Sequence, residues 1–136
     1  MAERVVSKVL TMNDPGYFEI QADNPEAAIR FYTAAFGWKF AKETSLPIDY
    51  WRIETNGIRG GLLKRPAQAP PPQSGTNAYV CSMRVESFDK TAETILKNGG
   101  QVALAKFAVP GVCWQGYFLD PEANTFGLFE VDKDAA

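Results

Sequence analysis

Apolar positions recur along the chain with two periods, and the alternation between them predicts the elements. Ala28, Ile29, Tyr32, Ala35 and Phe36 keep the i, i+3, i+4, i+7 spacing of a buried helical stripe. Asn24-Pro25-Glu26 supplies a cap, a first-turn proline and an acid at the positive end, and Gly37 is the natural left-handed stop. A second helix is predicted from Ser87, with Phe88, Ala92, Ile95 and Leu96 on one stripe and Asn98-Gly99-Gly100 at its end. Each helix follows a strand pattern, Tyr17 to Gln21 or Tyr79 to Val85, and each precedes three more. After the first helix these are Trp38 to Lys42, Asp49 to Thr55 and Ile58 to Lys64, the last two joined by the hairpin dipeptide Asn56-Gly57. After the second they are Gln101 to Val109, Cys113 to Leu119 and Thr125 to Val131, with Asp120-Pro121-Glu122-Ala123-Asn124 as the turn.

The order βαβββ thus occurs twice. Asn24 and Ser87 lie 63 residues apart, and Tyr50 and Tyr117 lie 67 apart, the spacing of a repeat with loops of unequal length. One module spans about 14–64 and the other about 76–132. Between them, 65–75 is a polyproline-like spacer that would not join a central strand. The spacer also has the composition of an SH3-type ligand, but tying two modules together already explains it. With 136 residues the chain makes one α+β domain of two halves, each too small to stand alone.

Composition narrows the chemistry. Fourteen Lys and Arg against sixteen Asp and Glu give a net charge of −2, which lacks the basic field that nucleic acid or an anionic membrane requires. The polar start Met1-Ala2-Glu3-Arg4 and the lack of a long apolar run point to a soluble, cytoplasmic protein. Zero histidines remove Ser-His-Asp and Cys-His nucleophile systems and the imidazole metal sites. Cys81 and Cys113 have neither zinc-knuckle nor redox spacing and are expected to be free thiols.

The chain resembles the glyoxalase, bleomycin-resistance and extradiol-dioxygenase superfamily, also called vicinal oxygen chelate. The resemblance covers Asp14 to Asp132. It is carried by Phe18-Glu19-Ile20-x-Ala22-Asp23-Asn24-Pro25-Glu26-x-Ala28-x-x-Phe31-Tyr32-x-x-x-Phe36-Gly37-Trp38, by Gly57-x-x-Gly60-Gly61-Leu62 and by Phe118-x-Asp120-Pro121-Glu122-x-Asn124. It implies half-open, barrel-like sheets around a cavity, often shared between subunits of a homodimer. Metal-using members take ligands from the first and last strand of each module, and the resemblance puts those positions at Tyr17, Gly60, Val80 and Gly127. Two glycines, a valine and a lone phenol do not make a ligand set, so no metal and no cofactor are expected.

Strand alternation from those positions proposes a ligand-binding set of Tyr17, Glu19, Gln21, Gly60, Leu62, Val80, Ser82, Arg84, Gly127 and Phe129, with Arg52 and Trp114 from the third strands. The two glycines either leave room for an organic ligand or permit a bulge or a close approach of backbone. Glu19 and Arg84 either hold a ligand, with Arg84 on a carboxylate and Glu19 taking a proton, or pair with each other. The leading expectation is a metal-free binder of a small organic molecule, for sequestration or sensing. The alternative is a glyoxalase-type lyase or isomerase, metal-free with Glu19 as its base or with an unforeseen metal site.

Overall fold

A computed structural model describes residues 12–71 and 74–136. Met1 to Arg4, and Pro72 and Gln73 of the spacer, lie outside the described residues. Two compact units result, one of Tyr17–Tyr79 and one of Val80–Ala136 with residues 12–16. The first module runs β1 (Pro15–Ala22), α1 (Pro25–Phe36), β2 (Lys39–Lys42), β3 (Tyr50–Glu54) and β4 (Arg59–Lys64). The second runs β5 (Val80–Arg84), α2 (Phe88–Lys97), β6 (Gln101–Val109), β7 (Cys113–Leu119) and β8 (Thr125–Val131). The strands lie in the order β2-β3-β4-β1 in one and β6-β7-β8-β5 in the other. In each module the first strand pairs parallel with the last, and the remaining pairs are antiparallel. The fold is α+β, and the βαβββ repeat is real.

Local chemistry sets the helix ends where the sequence puts them. The Asn24 side chain accepts from the Ala27 N–H at 3.1 Å, Pro25 opens α1, and Gly37 closes it at φ +71°. For α2 the Ser87 hydroxyl accepts from the Lys90 N–H at 3.2 Å, and Glu130 of β8 accepts from the Phe88 N–H at 2.7 Å. That second bond ties the start of α2 to the sheet it covers.

Each helix roofs one core. Phe18, Ile20, Ile53 and Leu62 are buried under α1, with Ala28, Ile29 and Tyr32 against them. Val85, Phe88, Phe118 and Leu128 are buried under α2, with Ala92 and Ile95 against them. Both apolar stripes stop short of their expected ends, because Phe36 and Leu96 are largely exposed. Trp38 packs against the core and stacks on Tyr32 at 5.2 Å, with the exposed Phe36 ring 5.5 Å from it. Cys81 and Cys113 form no disulfide with each other, and Cys113 is buried.

Two turns repay attention. At Asn56-Gly57 neither residue has positive φ, so the two-residue hairpin turn that the dipeptide favours does not form. Instead Thr55 closes a longer loop, its hydroxyl accepting from the Gly57 N–H at 3.0 Å and donating to the Ile58 carbonyl at 2.7 Å. Between β7 and β8, Asp120 accepts from the N–H groups of Glu122 at 2.8 Å and Asn124 at 3.0 Å, with Ala123 left-handed at φ +65°. Those bonds, led by the Asn124 N–H, hold the Asp120 carboxyl below the usual aspartate range. Asp120→Ala is therefore expected to lower the melting temperature at neutral pH. Because the folded pKa is depressed, the deficit should be full above the ordinary aspartate value of 3.8 and shrink as pH falls through the lower folded value. Thermal melts of both proteins across the acid range check this; a deficit independent of pH would contradict it.

Among the described residues no helix is long and apolar enough to cross a membrane.

Candidate functional site

In module one the strand registers sort the side chains onto two faces. Phe18 lies opposite Gly60 and Ile20 opposite Leu62, all four on the α1 side. Tyr17, Glu19 and Gln21 therefore point to the other face, with Gly61 and Leu63 from β4 and Tyr50 and Arg52 from β3. Glu19, Gly61 and Arg52 form one cross-strand row in which the glycine separates acid from base.

The gap at Gly61 is filled from within. A Cβ added there would stand 1.8 Å from the Tyr50 hydroxyl oxygen, so only glycine admits the phenol. Tyr50 donates to Glu19 Oε2 at 2.8 Å, and its oxygen lies 2.7 Å from the Tyr17 hydroxyl. Tyr50 has one proton and gives it to the carboxylate, so Tyr17 must donate to Tyr50. The positive Arg52 guanidinium favours the ionised form of Tyr17, and its Nε donates to Glu43 Oε2 at 3.1 Å. The chain runs through two phenols to a carboxylate. Burial is the main force raising the pKa of both phenols, and for Tyr50 the neighbouring Glu19 charge adds to it. Glu43 sits below its ordinary value, chiefly through the Ser45 hydroxyl and then through Arg52.

Module two repeats the plan with different chemistry. Ser82 lies opposite Gly127 and Arg84 opposite Phe129, on the face away from α2. A Cβ on Gly127 would meet Ser82 Oγ at 2.1 Å and Gln115 Nε2 at 2.9 Å. Gln115 donates to the Ser82 hydroxyl at 3.2 Å. Val80 shares the parity of Ser82 and Arg84 at the start of β5.

Nine of the twelve residues expected at the site thus share the face opposite the helix of their own module. In module one these are Tyr17, Glu19, Gln21 and Arg52; in module two they are Val80, Ser82, Arg84, Gly127 and Phe129. Three expectations of facing are corrected. Leu62 is fully buried in the α1 core, and a Cβ on Gly60 would meet the Phe18 ring at 2.6 Å on that same side. Gly61, one residue on, is the counterpart of Gly127, and a slip of one residue turns a strand over. Trp114 lies on the α2 side, its indole N–H bonding Asp132 at 3.0 Å and the Lys106 ammonium 4.7 Å from its ring.

Tyr50, Gly61 and Gln115 belong to these clusters and were not in the expected set. Alternation from Arg52 finds Tyr50, two residues away. Nothing in the sequence separates Gly61 from Gly60. A further cavity of about 270 Å³, lined by Phe36, Gly37, Trp38, Lys39, Glu54, Thr55 and Asn56, contains none of the expected residues.

The corrected ligand positions, Tyr17 and Gly61 in module one and Val80 and Gly127 in module two, do not fit a divalent metal. Neither glycine has a side chain, and each glycine's space already holds a hydroxyl of the protein. Among the described residues no three His, Cys, Asp or Glu side chains gather as a metal site.

The sequence profile of the Glyoxalase/Bleomycin resistance protein/Dioxygenase superfamily matches residues 15–128. A "Glyoxylase-like domain-containing protein" of Didymella fabae is 29% identical over 117 residues, which is 81% of this chain and 88% of that protein. A Mycobacterium bovis protein provisionally named glyoxylase CFP32 is 22% identical over 121 residues, 88% of this chain. The chain spans 46% of that mycobacterial relative. Among solved structures, the hypothetical protein BH1468 of Bacillus halodurans C-125 superposes with a TM-score of 0.64 at 16% identity, covering 93% of this chain and 99% of its own.

Proposed function

Since the chain belongs to the glyoxalase/bleomycin resistance protein/dioxygenase superfamily, we propose that it binds a small organic molecule on the sheet faces opposite its helices and does so without a metal at the family's ligand positions. The observation that carries this reading is the pair of filled glycines. Where a metal-using module needs a donor on its last strand, this protein has Gly61 under the Tyr50 hydroxyl and Gly127 under the Ser82 hydroxyl. Sequestration or sensing of the ligand asks nothing more of such a site than shape and a few fixed polar groups.

A specific observation favours a second reading, a metal-free lyase or isomerase. Glu19 is a carboxylate on the candidate face, oriented by Tyr50 at 2.8 Å, as a general base would be. The glyoxylase names of the relatives support the same reading. The two readings part on one substitution, since Glu19→Gln abolishes turnover only in an enzyme.

The test is metal analysis of protein purified without chelator, with native mass spectrometry of the same sample. The expected result is no stoichiometric Zn, Ni, Fe or Mn, a melting temperature unchanged by EDTA, and a co-purified organic adduct. A tightly held stoichiometric metal would overturn the proposal. The same spectra address the homodimer, for which a dimer mass is support and a monomer alone is evidence against.

A further inference from the structure

The face of module two opposite α2 is ordered in two cross-strand rows. Across β5, β8, β7 and β6 the first row reads Arg84, Phe129, Gln115, Phe107, and the second reads Ser82, Gly127, Tyr117, Leu104. Neighbouring strands lie about 4.8 Å apart, so Arg84 and Phe107 stand about 14 Å from each other at opposite ends. None of these eight residues is acidic, and Arg84 alone carries a charge. Lys106, in the irregular stretch of β6, is directed to the α2 side, with its ammonium over the Trp114 and Phe88 rings.

The two ends differ in what they lack. Arg84 Nε is buried and has no hydrogen-bond partner among the described residues. The backbone of Arg84 is pinned on both sides, its N–H to the Asp14 carbonyl at 3.2 Å and its carbonyl to the Asn13 N–H at 2.6 Å. A guanidinium with a buried, unused Nε–H on a backbone held this way is a receptor for an anionic oxygen, since a buried donor left unpaired is costly and a carboxylate matches the guanidinium edge. At the far end Leu104 and Phe107 are 53% and 38% exposed, large apolar side chains left open to water on a sheet face. Between the ends Ser82 and Gln115 satisfy each other and ask nothing of a ligand, and the Phe129 ring is buried.

We propose that this face binds an amphipathic monocarboxylate, its carboxylate on the Arg84 guanidinium and its apolar body extending along the face toward Phe107 and Leu104. This rests on the small-molecule-binding reading above and narrows it to a ligand class. A neutral alcohol of the same length lacks the acceptor charge, an amine repels Arg84, and a short acid does not reach the apolar end.

The probe is decanoate, titrated into the full chain by calorimetry below its aggregation range, with decan-1-ol, decylamine and hexanoate alongside. Saturable binding of one decanoate per chain is expected, about tenfold or more tighter than any of the other three. Arg84→Gln should weaken decanoate about tenfold or more and leave decan-1-ol unchanged. Phe107→Ser, at a position 38% exposed, should weaken decanoate and leave hexanoate unchanged. If Arg84→Gln does not fold, Arg84→Lys serves, expected to keep part of the affinity through charge alone. Absence of saturable decanoate binding, equal binding of decan-1-ol, or indifference to the Arg84 and Phe107 substitutions overturns the inference. Should decanoate fail while a different organic molecule co-purifies, the ligand class falls and the binding function stands. Should no organic molecule co-purify while decanoate binds as described, the class stands on its own.

Discussion

Gly61→Ala is expected to destabilise the protein by about 3 kcal/mol, the sum of a forced repacking and a broken buried hydrogen-bond chain. The added methyl would lie 1.8 Å from the Tyr50 oxygen and 2.2 Å from Tyr50 Cζ, so the whole ring end must move, and with it the bonds to Glu19 and Tyr17. Tyr50→Phe does not relieve the clash, because the ring carbon remains. Tyr50→Ala does, so in that background Gly61→Ala should cost little, and the coupling between the two substitutions measures the contact directly. Gly127→Ala is the parallel case, with Ser82→Ala as the relieving change, since Ser82 Oγ lies 2.1 Å from the added Cβ. Gly57→Ala is the control, a glycine with nothing nearer than the Thr55 hydroxyl at 3.9 Å. Urea denaturation of these variants decides the matter. If Gly61→Ala costs as much without the Tyr50 ring as with it, the glycine serves something other than the phenol.

Legibility in the sequence follows the range of the interaction. Helix starts and stops are encoded within four residues, so Asn24, Ser87 and Gly37 could be read directly and stand where expected. The βαβββ order was also legible, because alternation and turn residues are local. The choice between Gly60 and Gly61 was not. Two adjacent glycines carry no alternation of their own, and matching Tyr50 to Tyr117 across the repeat sets the offset one residue too long for the last strands. The registers show the true partners: Glu19 faces Gly61 as Ser82 faces Gly127. That one residue decided whether Leu62 was pocket or core. The phenol chain was illegible for another reason, since Tyr17 and Tyr50 are 33 residues apart and nothing in either strand alone says that they touch.

The filled glycines also resolve an alternative that the sequence left open. Removing a metal donor does not by itself create a hollow, because neighbouring side chains are free to move into the space. In module one the occupant is a phenol bonded to a carboxylate; in module two it is a hydroxyl bonded to an amide. The first arrangement retains an acid, a base and two proton carriers, whereas the second is neutral and internally satisfied. The modules share a fold and have diverged in chemistry, and it is module one that the enzymatic reading needs and module two that the binding of an anion needs.

Alkaline titration should expose the phenol chain. Tyr17 and Tyr50 both ionise in the folded protein only above the ordinary tyrosine value of 10, held neutral mainly by burial. The unfolded chain releases those protons near 10, so between that pH and the raised folded values the unfolded state holds fewer protons and stability falls as pH climbs. Their contribution is complete below pH 10 and is lost above it, by about 1.4 kcal/mol per pH unit for each phenol held neutral. Tyr79, pushed up to about 12 by burial first and then by its bond to Tyr32, should ionise late in the same titration. The tyrosinate absorbance of the native protein should therefore fall short of all five tyrosines until circular dichroism reports unfolding, and then complete itself in one step with the unfolding. Tyr50→Phe should make the alkaline loss of stability shallower by about one proton, while costing about 1–3 kcal/mol at neutral pH through the donor taken from Glu19. Five tyrosines titrating together near 10, with the fold intact throughout, would show that Tyr17 and Tyr50 are neither buried nor bonded as described.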